Sequence, residues 1–176
     1  LIFDICRWFG IAAVALGGLA AAGQKRWGYL IGYATLYDWG AGLIAFGQGT
    51  RQGVTWAVHM VVWRALGLLL IGASWNMLLK ASKRDELSAC AGMLQYRRFA
   101  VLGVVGGLAS LAGFPLTPGS VVRWPLIADQ LGASPRTAWV LTLGSVGVCV
   151  GALRGLRACM GAMPEGASAD RVDRVV

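Results

Sequence analysis

Four ionisable side chains, Asp38, His59, Arg64 and Arg123, lie inside long apolar runs of the sequence. A charged, unpaired group at the centre of a membrane helix costs about 2.5–3.5 kcal/mol on insertion scales, with histidine at the lower end. These residues must therefore face protein or water. The chemistry open to them is ion pairing, or proton passage between polar groups and bound water. Asp38 falls midway along one apolar run and Arg64 near the middle of the next. If the two runs are antiparallel helices, their depths match and an Asp38–Arg64 pair can close. His59 lies about 1.4 turns before Arg64, closer to the surface. Two readings of these residues stay open: structural ion pairs that fix helix packing, or a polar relay across the membrane midplane. Arg123 follows Gly119 by four residues, about one helical turn, which sets its guanidinium beside a break in the backbone. Carbonyls freed by that break, with Asp129 or a partner's carboxylate, are expected to satisfy its donors.

The composition demands a membrane around these groups. Of 176 residues, 57% are hydrophobic and 14% charged, and the mean hydropathy is +0.63. Soluble domains carry about 25% charged and 45–50% apolar residues, so a soluble enzyme and a disordered chain are both excluded. The 26 glycines and 8 tryptophans fit the same class. The net charge of +8 comes from basic residues scattered between apolar runs, which form no patch for nucleic acid. Cys6, Cys90, Cys149 and Cys159 show no ligand spacing, so neither a metal site nor a disulfide framework is expected. No GxGxxG motif, cysteine cluster or axial-ligand pair is present, so no cofactor and no catalytic residue is expected.

About 20 mostly apolar residues cross a bilayer as a helix. Residues 3–22, 28–49, 54–79 and 137–157 form such runs. Residues 81–98 are polar, with Lys83, Arg84, Asp85 and Glu86 at one end and Arg97 and Arg98 at the other. Between 99–112 and 120–132 lies a segment that no regular helix accommodates, carrying Gly113, Pro115, Pro118 and Gly119. Neither flank is long enough to cross alone. Read as one discontinuous crossing, the break leaves Lys25, Arg26, Lys80, Lys83, Arg84, Arg97, Arg98, Arg154 and Arg157 on one side. Only Arg7, Arg51 and Arg136 fall on the other. Nine against three is the stronger positive-inside bias; a full turn-around at the break would leave seven against five. The expected fold is an all-α polytopic membrane protein of about five spans, one of them broken by glycine and proline. Residues 1–160 would form the membrane domain and 161–176 a polar, disordered tail.

The run from Ser110 to Trp124, SLAGFPLTPGSVVRW, resembles the broken helix of the antiporter-like membrane subunits of NADH:quinone oxidoreductase (complex I). Those subunits and their relatives in Mrp-type cation/proton antiporters carry a pattern near S-L-A-G-x-P-P-x-x-G-F-x-x-K-F. Ser110, Leu111, Ala112, Gly113, Pro115, Gly119 and the aromatic Trp124 match it. Gln24 with Tyr33-Ala34-Thr35 and Gly40, then Trp63-Arg64-Ala65-Leu66, then Asp85-Glu86-Leu87 and Gly92-Met93, resemble family segments in the same order. The resemblance covers about residues 8–132 and corresponds to the C-terminal part of such a subunit.

What the resemblance implies is a membrane-arm subunit of a proton-pumping NADH:quinone oxidoreductase. It would have no redox site of its own, and would lie in the mitochondrial inner membrane or a bacterial plasma membrane. Asp38, His59, Arg64 and Arg123 become candidates for part of a proton pathway. Arg123 falls on the family's lysine or glutamate after the break, and Arg64 on its lysine in the preceding span. Partners would be lipids and other membrane-arm subunits, including a chain that carries the family's N-terminal half. The departures define the alternatives. Arginine is always charged, whereas a lysine's charge shifts readily on burial. Two arginines at relay positions therefore also fit a non-conducting scaffold subunit of the same complex, and the motif equally fits an Mrp-type antiporter component.

Overall fold

The computed structural model describes residues 1–161; positions 162–176, nearly all of the expected tail, lie outside the described residues. The described chain is helical, with α1 Ile2–Gly23, α2 Trp27–Phe46, α3 Arg51–Ser82, a short 3-10 turn Leu87–Cys90, and α4 Met93–Tyr96. The last three helices are α5 Arg98–Ala112, α6 Ser120–Ala133 and α7 Pro135–Met160. The third helix is longer than the apolar run that announces it. Thr50 accepts a hydrogen bond from the Gly53 amide at its start, and Lys83, in the left-handed region at φ 56°, ends it.

By length and apolarity α1, α3 and α7 are able to cross a membrane. The fourth full-length helix, α2, spans about 30 Å at 1.5 Å per residue but carries Asp38, three tyrosines and two tryptophans. Its position compensates, because α2 packs against α1, α3, α5 and α7 and buries nine residues, among them Trp27, Tyr37 and Asp38. Glycines let neighbouring backbones close in. A Cβ on Gly18 would lie 2.3 Å from the Gly144 Cα, so α1 and α7 touch there through bare backbone, the small-residue contact typical of membrane helices.

Contacts at the two ends of the bundle fix the path of the chain. At one end Phe3 stacks with Phe46 at 5.6 Å, Arg7 donates to the Thr137 hydroxyl, and Gln48 donates to Asp129 at 2.8 Å. This end therefore gathers the starts of α1, α3 and α7 with the finishes of α2 and α6. At the other end the Asp85 carboxylate accepts from the Gly28 amide at 2.9 Å, placing an acid on the first turn of α2. The Asp85 backbone carbonyl accepts from Trp27, and Arg154 donates to the Ala22 carbonyl. Here the polar segment 83–97, the start of α5 and the finish of α7 meet. The α5–α6 pair begins at the second end and finishes at the first, so it traverses the bundle once with its break partway. The nine basic residues and the three lie at these two opposite ends.

Single cysteines replacing Lys83 and Arg157 should react with an impermeant thiol reagent from one side of the membrane, and cysteines replacing Arg51 and Arg136 from the other. The native cysteines are first changed to serine or alanine. Labelling of the Lys83 and Arg157 positions from opposite sides would mean that the chain turns back at 113–119.

Candidate functional site

The break solves a backbone problem, and the solution builds the site. A helix end leaves its last four carbonyls without helical partners. At the end of α5 the Ala109 carbonyl accepts from the Phe114 amide at 2.9 Å, and that of Ser110 from the Gly113 amide at 3.0 Å. The Leu111 carbonyl accepts from Arg123 Nη2 at 3.1 Å, and that of Ala112 from the Ser145 hydroxyl of α7 at 2.5 Å. Gly113 sits at φ 74°, a conformation glycine adopts without a steric penalty. The Arg123 stem folds over it: a Cβ on Gly113 would lie 2.5 Å from the Arg123 Cγ. Gly119 meets the same limit from the other side, where a Cβ would fall 1.8 Å from the Ser110 carbonyl oxygen. Its amide donates to the Ser110 hydroxyl at 3.2 Å. Ser110, Gly113, Gly119 and Arg123 are thus one unit that turns α5 into α6.

The Arg123 guanidinium reaches from this unit to Asp38, midway along α2, with Nη2 2.5 Å from Oδ1. Arg64 of α3 takes the other carboxylate oxygen, Nε to Oδ2, also at 2.5 Å, and its Nη2 donates to the Asp38 backbone carbonyl at 3.1 Å. All three side chains are at least nine-tenths buried. Aromatic faces complete the surroundings. The Arg64 guanidinium lies 3.8 Å from the Trp39 ring centroid and that of Arg123 4.8 Å from the ring of Tyr37, close enough for cation–π attraction. Tyr37 is itself pinned, since its hydroxyl donates to the Leu141 carbonyl of α7 at 3.1 Å.

Of the four candidate residues, the structure brings Asp38, Arg64 and Arg123 together and leaves His59 apart. His59 is exposed on the outer face of α3, where its Nδ1 lies 2.8 Å from the Thr55 carbonyl of its own helix. Arg123 does use a freed carbonyl, Leu111, as the spacing suggests, but the carboxylate is Asp38 and not Asp129. Asp129 lies two turns beyond the break at the end of the bundle, occupied by Gln48. Tyr37, Trp39 and Ser145 belong to the site without being evident from the sequence. Tyr37 and Trp39 flank Asp38, and that adjacency was the available signal; Ser145 carried none.

The family model for the transmembrane region of NADH:quinone oxidoreductase and Mrp antiporters matches residues 2–150. NADH-quinone oxidoreductase subunit N of Azorhizobium caulinodans is 29% identical over 126 residues, covering 69% of this chain and 26% of the relative. Subunit N of Methylobacterium nodulans is 26% identical over 150 residues, 85% of this chain and 31% of the relative. The structure of the Mrp complex from Dietzia sp. DQ12-45-1b superposes with a TM-score of 0.83 over 92% of this chain and 30% of the other, at 16% identity. The likeness to that structure is one of fold. The chain spans between about a quarter and a third of the length of these relatives.

The shared carboxylate makes the three charges interdependent. Asp38→Asn should destabilise the protein more than loss of either arginine, because it leaves two guanidiniums buried together. Removing one member of a buried pair typically costs about 3–5 kcal/mol. Arg64→Met in the Asp38→Asn background should then cost less than the two single changes combined. Thermal unfolding of the four proteins in lipid nanodiscs measures this coupling. Additive losses would mean that the charges are independent.

Proposed function

The chain belongs to the NADH:quinone oxidoreductase/Mrp antiporter transmembrane family, and we propose that it serves as part of an antiporter-like subunit in the membrane arm of a proton-translocating NADH:quinone oxidoreductase. In this reading it contributes one section of a proton pathway in an energy-transducing membrane, with five crossings and the more basic end toward the cytoplasm or matrix. The observation that carries it is the Asp38–Arg64–Arg123 cluster, buried where a discontinuous helix opens midway through the bundle. Broken helices with polar backbone and ionisable side chains at the midplane are the arrangement transporters use for ion sites.

The chemistry available to the cluster follows from its residues. Arginine is a poor proton donor and acceptor, so Arg64 and Arg123 act as fixed positive charges that hold Asp38 and orient water. Protons would move along groups that these charges position. Neighbouring protein is also required. Phe114, Pro115, Leu116 and Pro118 at the break are exposed, Leu116 completely, and irregular backbone at membrane depth persists only where protein or a watery cavity covers it. Another membrane subunit, carrying the family's N-terminal half, would supply that cover.

The second reading, a non-conducting scaffold, is favoured by the same two arginines. Arg123 variants in the assembled complex separate the two. If a fixed charge is needed, Arg123→Lys keeps the proton-to-electron ratio and Arg123→Ala lowers it. If the site has to exchange protons, Arg123→Lys raises the ratio. An unchanged ratio with Arg123→Ala in a normally assembled complex would make the chain a scaffold.

A further inference from the structure

The buried cluster does not balance its own charge. Among the described residues Asp38 is the carboxylate that faces two guanidiniums, and both of its oxygens are taken, Oδ2 by Arg64 and Oδ1 by Arg123. One positive charge is left over. The rings of Trp39 and Tyr37 spread part of it but bring no formal negative charge. The C-terminus of α5 adds a partial negative charge through the Leu111 carbonyl, and the N-terminus of α6 returns a partial positive one at the same break. The two helix ends offset each other. Arg123 also brings more donors than the described residues use: its Nε and Nη1 are buried and have no hydrogen-bond partner among the described residues. A surplus of charge and a surplus of donors occur on the same side chain.

Beside them is a small cavity of about 10 Å³, lined by Arg123, Arg64, Asp38, Ser110, Gly119 and Trp63, among others. That is the smallest volume able to hold one water-sized particle. A cation there would meet two guanidiniums, an apolar molecule would leave the donors unmet, and a water would meet the donors but leave the charge, so the chemistry that answers both is negative, monovalent and small. We propose that this cavity is a monoanion site, taking a halide ion or one carboxylate oxygen of a neighbouring chain, with Arg123 as its principal donor. The bound charge would neutralise the cluster. The inference stands whether or not protons pass through the chain.

Halide titration of the full chain in uncharged nanodiscs tests this, with sodium bromide replacing sodium gluconate at constant ionic strength. Bromide at roughly ten times its Kd should raise the unfolding midpoint by about 3–6 °C. It should also produce a saturable quenching of tryptophan fluorescence that non-quenching chloride reverses. Arg123→Gln should abolish both effects, and Arg84→Gln, at the exposed end of the bundle, neither. If Arg123→Gln does not fold, Trp63→Phe should remove the saturable quenching and keep the midpoint shift. The same titration on the assembled complex identifies the source. A retained halide effect means a free ion, and an effect seen in the isolated chain but lost on assembly means a neighbour's carboxylate. Linear quenching with no midpoint shift in the unaltered chain would overturn the proposal.

Discussion

A carboxylate buried among helices must find donors for both of its oxygens, and Asp38 finds them on residues 26 and 85 positions away in the chain. That requirement ties three helices together. The helix carrying Asp38 has to sit centrally, with α3 on one side and the break between α5 and α6 on the other. Close packing of α1 and α7 over glycine lets them enclose it, and Tyr37 couples the Asp38 turn directly to α7. The break is equally dependent on the pairing. Arg123 satisfies the Leu111 carbonyl while it holds Asp38, so a buried charge is also the group that completes the backbone of the broken helix. Removing the carboxylate leaves that capping group without its counter-charge.

Much of this could be read before any coordinates. Apolar length located the four full-length helices, and the Gly113–Gly119 interruption located the break. The distribution of basic residues identified two opposite ends, because charge near a membrane helix terminus is patterned locally and survives as sequence. Asp38 and Arg64 meet because α2 and α3 are adjacent and antiparallel, which sets the middle of one beside the middle of the other. The third partner was out of reach. Periodicity places Arg123 beside a break but does not say which helix crosses in front of it, and the nearby Asp129 was the wrong carboxylate. Asp129 is close in sequence, yet two helical turns carry it to the end of the bundle, whereas Asp38 is distant in sequence and level in space. His59 shows the same limit from the other direction. Its position in an apolar run places it on α3, but the face it occupies is set by Arg64, which must point inward. The remaining side chains of α3 follow from that choice.

The use of arginine at position 123 has a physical consequence of its own. The protein atoms ask for one nitrogen there, since Nη2 alone serves both Asp38 and the Leu111 carbonyl. A lysine ammonium, with three donors on one atom, could serve both acceptors and leave at most one N–H over. It could also lose its charge on burial. Arginine does neither. It adds Nε–H and Nη1–H groups that are buried without partners among the described residues. Leaving buried donors unmet costs about 1–3 kcal/mol, a large fraction of what a single interaction contributes to a folded protein. Something small and electron-rich beside these donors would therefore stabilise the site. A permanent charge at this position changes what the centre of the bundle needs more than it changes the shape of the bundle.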